Sequence, residues 1–304
     1  MSTISLDGKV AVVTGSGGGL GRAYAVALAA AGAAVVVNDV DEAAAKETVA
    51  AIESSGGRAV AEVVAVGSTD AADALVARAV SEFGRLDGMV TNAGLLRDGV
   101  LWKMTDENFD QVVETHLRGT FTCARAAAVQ MREQGEGGRI VVVGSPAGQR
   151  GNFGQTNYAA AKAGIVAFAR TWSMELARAG VTVNAIVPTA WTRMTATIPI
   201  YEPVAERANA GEELPAALRR AHAIGYPEDC AGLVVFLMSA AAAEVTGQAI
   251  GVGGDKLSMW SHPVEVASAF RDGGWTAETI AEAWSTTVGA FGQTSGIELP
   301  ALDL

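Results

Sequence analysis

The feature that most constrains this chain is a regular alternation of short apolar segments with longer alanine-rich segments. The apolar segments are rich in valine and isoleucine and lie at 10–14, 34–38, 59–66, 88–91, 139–144, 181–187 and 248–252. The alanine-rich segments have a helical period and lie at 20–31, 41–55, 70–83, 106–134, 156–179 and 228–240. Strands that are apolar throughout are typical of parallel sheets covered on both faces. The alternation therefore predicts an α/β protein with a doubly wound parallel sheet of about seven strands and a ligand site at their carboxyl ends.

Length and charge narrow the class of protein further. The 304 residues are enough to bury a substantial core, and 33 acidic against 22 basic side chains give a net charge of −11. This acidic balance argues against a nucleic-acid partner, whose affinity comes largely from phosphate neutralisation. Asp7 and Lys9 precede the first apolar run, and the longest uncharged stretch, 23–38, is too short for a membrane span. Two cysteines exclude a disulfide scaffold. We expect a soluble protein of a reducing compartment such as the cytoplasm, with no membrane partner.

Two regions interrupt the alternation. Residues 189–226, here called the lid region, contain three prolines and no clear strand: Pro199, Pro203 and Pro215. A long insertion between a strand and a helix is either a substrate lid or a mobile surface loop. We assign residues 1–254 to one domain and residues 255–304 to a C-terminal extension. The extension carries three of the six tryptophans and a helical stretch at 277–284, so it is expected to pack on the domain or on a neighbouring subunit.

A glycine-rich segment, here called the glycine loop, joins the first strand to the first helix. It has the sequence Thr14-Gly15-Ser16-Gly17-Gly18-Gly19-Leu20-Gly21. Glycines at this place allow a tight turn and let backbone N–H groups approach a pyrophosphate at the helix N-terminus. We expect cofactor contacts from Gly15, Gly17, Gly19, Leu20 and Gly21.

The second strand ends at an aspartate, Asp39, which bears on the choice of cofactor. A carboxylate there accepts hydrogen bonds from both ribose hydroxyls of NAD and repels the 2′-phosphate of NADP. Val40 and Asp41 follow it, so no arginine compensates that charge. The pattern predicts NAD. Alternatively, Asp39 caps the helix that begins near Asp41.

A serine, a tyrosine and a lysine form a candidate catalytic set. Tyr158 and Lys162 are one helical turn apart and share a face, and Ser145 ends the strand predicted at 139–144. An ammonium beside a phenol stabilises the phenolate and lowers the phenol's pKa from about 10. Tyr158 would then exchange a proton with an alcohol or ketone while hydride moves to or from the nicotinamide. Ser145 would hold the substrate oxygen.

These linked motifs resemble the short-chain dehydrogenase/reductase family over residues 6–254. The glycine loop resembles the family's cofactor loop, Asn92-Ala93-Gly94 its sheet-stabilising motif, and Ser145, Tyr158 and Lys162 fall on its catalytic positions. The segment 184–188 is similar to the one beside the nicotinamide, which adds Pro188, Thr189 and Trp191 to the expected cofactor residues. The resemblance implies a Rossmann-type fold, a Lys162 that also binds the ribose, and a homotetramer or homodimer built from the helices at 106–134 and 156–179.

A narrower resemblance concerns the substrate. Segments 19–25, 37–39, 96–98, 116–119 and 151–155 are similar to the (3R)-hydroxyacyl-CoA dehydrogenase branch of the family, which includes 17β-hydroxysteroid dehydrogenases. That branch implies a secondary alcohol on an apolar substrate. Bacterial relatives with a similar pattern are 3-oxoacyl-carrier-protein reductases, so an NADPH-linked reductase remains an alternative, as does a non-catalytic NAD-binding module.

Three positions depart from the family pattern. His116 replaces an asparagine of the proton relay, and it either joins that relay or is a structural histidine bonded to a backbone carbonyl. Gly67, followed by Ser68, replaces an aspartate that contacts adenine. Thr189 replaces a glycine, and the motif Trp191-Thr192-Arg193-Met194 is one residue short, so Trp191 either walls the nicotinamide pocket or lies in the core.

The remaining metal-binding and thiol residues point to no further chemistry. His222 and His262 lack a second ligand at metal spacing, so we predict surface positions for both and no metal site. Cys123 and Cys230 stand among small apolar residues and are predicted to be inert core residues.

Overall fold

One sheet runs through the protein in a computed structural model that describes residues 4–192, 195, 201–209 and 212–297. Its strands are β1 (Val10–Val13), β2 (Ala34–Asp39), β3 (Arg58–Val63), β4 (Gly88–Thr91), β5 (Gly138–Val143), β6 (Val181–Pro188), β7 (Ala249–Gly253) and β8 (Lys256–Trp260). They lie in the order β3-β2-β1-β4-β5-β6-β7-β8, all parallel except β8. The predicted doubly wound sheet is confirmed. The third strand is shorter than predicted because its register with β2 ends at the pair Asp39 and Val63.

Helices cover both faces of the sheet. They are α1 (Gly19–Ala30), α2 (Glu42–Ser54), α3 (Thr69–Phe83), α4 (Asp106–Val112), α5 (Gly119–Gln134), α6 (Pro146–Arg150), α7 (Thr156–Glu175), α8 (Glu202–Asn209), α9 (Ala216–Ala221), α10 (Pro227–Met238) and α11 (Ala277–Ala283). The helix predicted at 106–134 is divided, because a π-helical turn (Val113–Arg118) separates α4 from α5. No helix in the described ranges is long and apolar enough to cross a bilayer.

The apolar strands are explained by a core on each face of the sheet. Val13 packs with α1 and α10 residues such as Leu28 and Val234, whereas its neighbour Val12 packs on the opposite face with residues such as Leu75 and Ile165. Successive side chains of a strand point to opposite faces, so both must be apolar when both faces are covered. Full burial of one such side chain contributes about 1.5–3 kcal/mol.

The order of the strands reverses between β1 and β4, and this opens a crevice at their carboxyl ends. The glycine loop leaves β1 on one side of the crevice, and residues 92–100 leave β4 on the other. The segments after β5 and β6 emerge at the same edge. The fold therefore gathers the candidate cofactor and catalytic residues at one edge of the sheet.

The sheet continues past residue 254, into the segment that the sequence analysis assigned to the extension. Strand β8 pairs antiparallel with β7, from Gly253 opposite Lys256 to Ala249 opposite Trp260. The two residues between the strands, Gly254 and Asp255, form the turn, and Gly254 has a φ of +50° that favours glycine. The remainder of the extension, residues 261–297, is here called the tail and contains α11.

The lid region packs around a small apolar cluster of its own. Tyr201, Val204, Leu214, Leu218 and Ile224 are buried together. The two ends of the region meet where Trp191 N–H donates to Gly225 O at 2.6 Å. This packing argues against a loop without structure over the described part of the region, and a role as a substrate lid stays a prediction. Arg193, Met194 and Pro199 lie outside the described residues.

A forked ion pair fastens the lid region to the rest of the protein. The Arg219 guanidinium of α9 binds both carboxylate oxygens of Asp229 at 2.9 and 3.1 Å. Its Nε donates to Asp255 Oδ1 at 3.0 Å. The lid helix is thereby tied to the start of α10 and to the β7–β8 turn.

Candidate active site

The glycine loop lies against the segment that follows β4, and two of its glycines allow this close approach. A Cβ on Gly15 would lie 2.7 Å from Ala93 Cα, and a Cβ on Gly21 would overlap Gly15 O. Any side chain at either position would push the loop away from its neighbours. Leu20 is partly buried against the core that contains Val13 and Leu28, and it holds the start of α1 on the sheet.

Asn92 and Thr14 join the ends of β1 and β4. The Asn92 amide donates to Thr14 O at 3.1 Å and to Gly15 O at 3.0 Å. The backbone N–H groups of Asn92 and Ala93 both donate to Thr14 Oγ1 at 3.0 Å. These bonds hold both sides of the crevice at a defined separation, in agreement with the sheet-stabilising role that the resemblance implied for this motif.

Asp39 lies beside the glycine loop. Its Oδ2 accepts from Gly17 N–H at 2.9 Å, and a Cβ on Gly17 would lie 2.8 Å from that oxygen. Helix α2 is capped by Asp41, whose carboxylate accepts from Ala44 N–H at 3.1 Å. The alternative that Asp39 caps this helix is therefore wrong.

The residues at the start of α1 fit the pyrophosphate of a nicotinamide nucleotide. Gly18 provides no side-chain cap, and the first turn of α1 has no acidic residue, whereas α2 and α3 are capped by Asp41 and Ser68. The first N–H groups of α1 are thus left for an anion, which the helix dipole also favours.

Gly67 and Ser68 both take part in the local fold. Gly67 has a φ of +127°, which disfavours an aspartate there, and its carbonyl accepts from Arg118 Nε at 3.0 Å. The Ser68 hydroxyl accepts from Ala71 N–H at 3.1 Å as the cap of α3. That hydroxyl thus serves the fold as an acceptor, and a contact of Gly67 or Ser68 with the cofactor stays a prediction.

Ser145, Tyr158 and Lys162 come together at the carboxyl end of β5. Ser145 caps α6, where its hydroxyl accepts from Ala147 N–H at 3.2 Å, and it lies close enough to the Tyr158 phenol to lower the pKa of that phenol. Lys162 Nζ donates to Val143 O at 2.6 Å and lies 5.6 Å from the centre of the Tyr158 ring. The three side chains that the sequence singled out therefore form one cluster.

The acid–base balance of this cluster differs from the sequence expectation. Burial raises the pKa of the Tyr158 phenol, the nearby Ser145 hydroxyl opposes that rise, and the charge of Asp98 adds to it. Burial also lowers the pKa of Lys162 to about 7. Desolvation thus dominates both groups, and the expected lowering of the Tyr158 pKa by Lys162 is not produced by the protein's own residues.

His116 lies in the π-helical turn, packed edge-on against Tyr158 with the ring centres 5.2 Å apart. Its Nε2 lies 2.7 Å from Leu95 O and 3.0 Å from Leu95 N. Its Nδ1 is buried and has no hydrogen-bond partner among the described residues. A Cβ on Gly94 would overlap this imidazole, so Gly94 makes room for it. The Nε2 contacts are those expected of a structural histidine bonded to the backbone. A role of Nδ1 in the proton relay stays a prediction.

Burial of His116 predicts a pH-dependent loss of stability. Burial and the charge of Lys162 lower its pKa to about 3. Below pH ~6.5 the unfolded chain binds a proton that the folded protein refuses, so the free energy of unfolding falls as the pH drops towards 3. We expect His116→Asn to flatten this dependence, by at most about 5 kcal/mol over the whole window. Urea unfolding from pH 7 to 4 measures it.

The matched control for this prediction is His262→Asn, which removes an exposed imidazole that contacts Gly247 O. The control should keep the wild-type slope of stability against pH. Parallel profiles for wild type and His116→Asn would contradict the prediction.

Comparison with known proteins decides the family. A family model described as short chain dehydrogenase matches residues 9–200. The chain belongs to the short-chain dehydrogenase family. A crystal structure of a short chain dehydrogenase from Mycobacterium avium has a TM-score of 0.81 and 35% identity, covering 100% of both chains. This short-chain dehydrogenase is therefore an oxidoreductase with a nicotinamide nucleotide cofactor and alcohol or ketone substrates.

Three curated relatives show the range of similarity. The chain is 43% identical over 274 residues to hydroxyacyl-CoA dehydrogenase ChsB1 of Mycobacterium tuberculosis, covering 86% of this chain and 82% of the relative. It is 37% identical over 293 residues to peroxisomal multifunctional enzyme type 2 of Mus musculus, covering 93% of this chain but 37% of that larger protein. A 3-oxoacyl-[acyl-carrier-protein] reductase of Synechocystis is 40% identical over 253 residues, 82% of this chain and 97% of the relative.

The segment after β6 leads into the lid region of this dehydrogenase. Thr189, which follows Pro188, donates its N–H to Val252 O at 2.9 Å. The Trp191 ring is partly buried and lies 6.2 Å from the ring of Tyr201, in the cluster of the lid region. Trp191 is therefore a packing residue of the lid region in this structure, and a contact with nicotinamide stays a prediction.

A cavity of ≈ 280 Å³ lies between the lid region, the β7–β8 hairpin and the start of α6. Its lining includes Pro146, Arg150, Thr189, His222, Trp260 and Ile297. Pro146 directly follows Ser145, so the cavity reaches the chain beside the catalytic cluster, although Ser145, Tyr158 and Lys162 are not in its lining. Sequence reasoning missed Arg150, Trp260 and Ile297, because their only signals were a cation near the predicted site and apolar residues in an extension.

The predicted places of the other histidine and cysteine residues are partly confirmed. Cys123 and Cys230 are buried free thiols, and burial raises the pKa of each to about 12. His262 is exposed, as predicted. The surface position predicted for His222 is wrong: it is 4% exposed and its Nδ1 lies 2.8 Å from Tyr201 Oη, because the lid region folds over it. Among the described residues, no group of three or more His, Cys, Asp or Glu is placed to hold a metal ion.

Proposed function

We propose that this short-chain dehydrogenase oxidises a secondary alcohol on an apolar substrate of hydroxyacyl-CoA or hydroxysteroid type, with NAD as cofactor. The single observation that carries NAD is the Asp39 carboxylate, held beside the glycine loop by Gly17 N–H. The identity to a hydroxyacyl-CoA dehydrogenase over most of both chains supports the substrate class. Ile297 of the tail and Ala221 and Ala223 of the lid region give the cavity an apolar part that fits such a substrate, beside the cations Arg150 and Lys256.

The proposed division of roles follows from the geometry. The nicotinamide, when bound, exchanges hydride with the substrate carbon, and its positive charge favours the phenolate. Tyr158 Oη exchanges the proton of the substrate oxygen, because it is the acidic hydroxyl of the cluster. Ser145, which lies beside that phenol, orients the same oxygen. Lys162 is held by Val143 O at the base of the cluster, and at a pKa of about 7 it donates or receives a proton near neutral pH.

Asp39→Ala tests the choice of cofactor. We expect wild type to prefer NAD, and the ratio of kcat/KM for NAD over NADP to fall by about 10- to 100-fold in the variant. This corresponds to the loss of one partly screened repulsion of about 1.4–3 kcal/mol. Asp41→Ser is the matched control, because serine still caps α2 while the neighbouring charge is lost. A wild-type preference for NADP, or an unchanged ratio in Asp39→Ala, would refute the proposal.

A second function is favoured by one comparison. The Synechocystis reductase is 40% identical over nearly its whole length, so the same cluster would reduce a 3-oxoacyl carrier substrate with NADPH. Steady-state rates with both cofactors, on a panel of sterols, hydroxyacyl-CoAs and simple alcohols, separate the two functions. Substrate-dependent NADH formation also excludes a non-catalytic module.

Assembly and location stay predictions. Phe121 and Val129 of α5 are 39% and 50% exposed, as expected if this helix packs in a homotetramer or homodimer. Light scattering on the purified protein measures the assembly. A cytoplasmic location is consistent with two free, buried cysteines.

A further inference from the structure

The tail returns to the catalytic side of the sheet after a long excursion. Most of its large apolar side chains are exposed, with Phe270 at 92%. Its last described residues are bonded to α6, the short helix that begins after Ser145, although Ile297 itself is 37% exposed. The tail is therefore bonded to the domain near its start, where His262 Nε2 lies 2.9 Å from Gly247 O, and again at its last described residues.

Arg150, the last residue of α6, makes this contact from both backbone and side chain. Gly296 N–H donates to Arg150 O at 2.7 Å, and Arg150 Nε donates back to Gly296 O at 3.2 Å. Arg150 Nη2 donates to Thr294 Oγ1 at 3.1 Å. The planar guanidinium of Arg150 makes two of these hydrogen bonds, and the backbone carbonyl of Arg150 makes the third. Together they define both the position and the direction of residues 294–297.

The next residue, Ile297, lines the cavity that reaches the chain beside the catalytic cluster. His222 of the lid region and Trp260 of β8 line the same cavity. Three segments far apart in the sequence thus line one space, and Arg150 of α6 bonds the tail's share of it. The Ile297 side chain, which is 37% exposed, forms part of the boundary of that space.

We propose that residues 294–297 form a wall of this chain's own substrate cavity, latched to α6 by Arg150, and determine which substrates the site accepts. The inference rests on the proposed function in that the reacting group is taken to lie at Ser145 and Tyr158. Arg150 is a positioning residue in this arrangement, and Ile297 is the residue that sets the available volume.

Ile297→Trp and Ile297→Ala test the wall from opposite directions. With 3-hydroxybutyryl-CoA and 3-hydroxypalmitoyl-CoA, we expect Ile297→Trp to lower the long-to-short ratio of kcat/KM by about tenfold, the size typical of a changed hydrophobic pocket. Ile297→Ala should raise that ratio. Phe270→Ala, an exposed tail residue, is the control and should leave it unchanged. An unchanged ratio in both Ile297 variants overturns the proposal. Wild type without NADH formation on any substrate refutes the proposed function instead.

Arg150→Lys tests the latch, because lysine keeps the charge but loses the fork. We expect amide hydrogen exchange at residues 294–297 to rise at least tenfold, while exchange in β5 and α7 stays at the wild-type level. The long-to-short ratio should move in the direction of Ile297→Ala. Unchanged protection at 294–297 would show that Arg150 does not hold the tail.

Mixed assemblies decide whether the wall serves its own chain. Ile297→Trp chains are co-refolded with an excess of Tyr158→Phe chains that carry the wild-type tail, so that nearly all turnover comes from the former. If the tail lines the cavity of its own chain, the long-to-short ratio of kcat/KM stays at the Ile297→Trp value at every mixing proportion. A ratio that returns towards wild type as the inactive chain is added would place the tail in the neighbour's site and overturn the proposal.

Discussion

Tyr158→Phe is expected to lower kcat by about 10²–10⁴-fold, while cofactor affinity stays within about twofold. The phenol is the group that would exchange a proton with the substrate oxygen, and it lies beside Ser145 and the buried Lys162. Phenylalanine keeps the ring that packs on His116 but removes the hydroxyl. Steady-state rates and fluorescence titration of the cofactor measure both quantities.

Tyr24→Phe is the matched control for Tyr158→Phe. Tyr24 is fully buried in the core that contains Val13 and Leu28. Its hydroxyl has no hydrogen-bond partner among the described residues. Removing that hydroxyl should leave kcat close to wild type. Near-normal turnover in Tyr158→Phe would refute the proposed mechanism, whatever the control shows.

Gly21→Ala is expected to weaken both the fold and the cofactor site. The added Cβ would overlap Gly15 O and lie 2.6 Å from Asn92 Nδ2, the amide that joins β1 and β4. Backbone and a fixed amide give way only at a cost, so we expect a loss of about 1–3 kcal/mol in the free energy of unfolding. The cofactor dissociation constant should rise at least about tenfold, since the displaced loop carries the N–H groups for the pyrophosphate. Urea unfolding and calorimetric titration measure the two effects.

Gly18→Ala, in the same loop, is the control for Gly21→Ala. Gly18 has an extended φ of −156°, and a Cβ there would meet nothing within 4 Å. Its free energy of unfolding should stay within about 0.5 kcal/mol of wild type. Equal losses in the two variants would show that the loop is sensitive to any side chain rather than to the contact between Gly21 and Gly15.

The parallel sheet was predictable because its pattern is local. Val12 and Val13 must both be apolar when each faces a separate core, and that requirement is written in consecutive residues. Strand β8 was missed because it lies at the edge of the sheet, pairs with a single neighbour and has Leu257 and Met259 exposed. Its one signal was the Gly254-Asp255 pair, a two-residue hairpin turn.

In the candidate site, the identity of the catalytic residues was predictable from the sequence, whereas their acid–base properties were not. Ser145, Tyr158 and Lys162 were predictable because a helical turn and a strand end place them together by spacing alone. Their acid–base properties were not, because the pKa values of Tyr158 and Lys162 depend on how much water the folded protein leaves around them. His222 shows the same limit: a lone histidine has no local signal for burial, and the lid region buries it against Tyr201.

The sequence by itself determined the α/β sheet, the crevice at the carboxyl ends of its strands, the glycine loop and the catalytic set. Each depends on residues within one or two elements, whose spacing follows from helix and strand geometry. Only the tertiary structure decided that Asp39 lies on Gly17, that desolvation governs Tyr158 and Lys162, and that residues 294–297 lie on Arg150. Those contacts join residues distant in the chain, and their energies depend on burial and distance, which arise only when the layers pack.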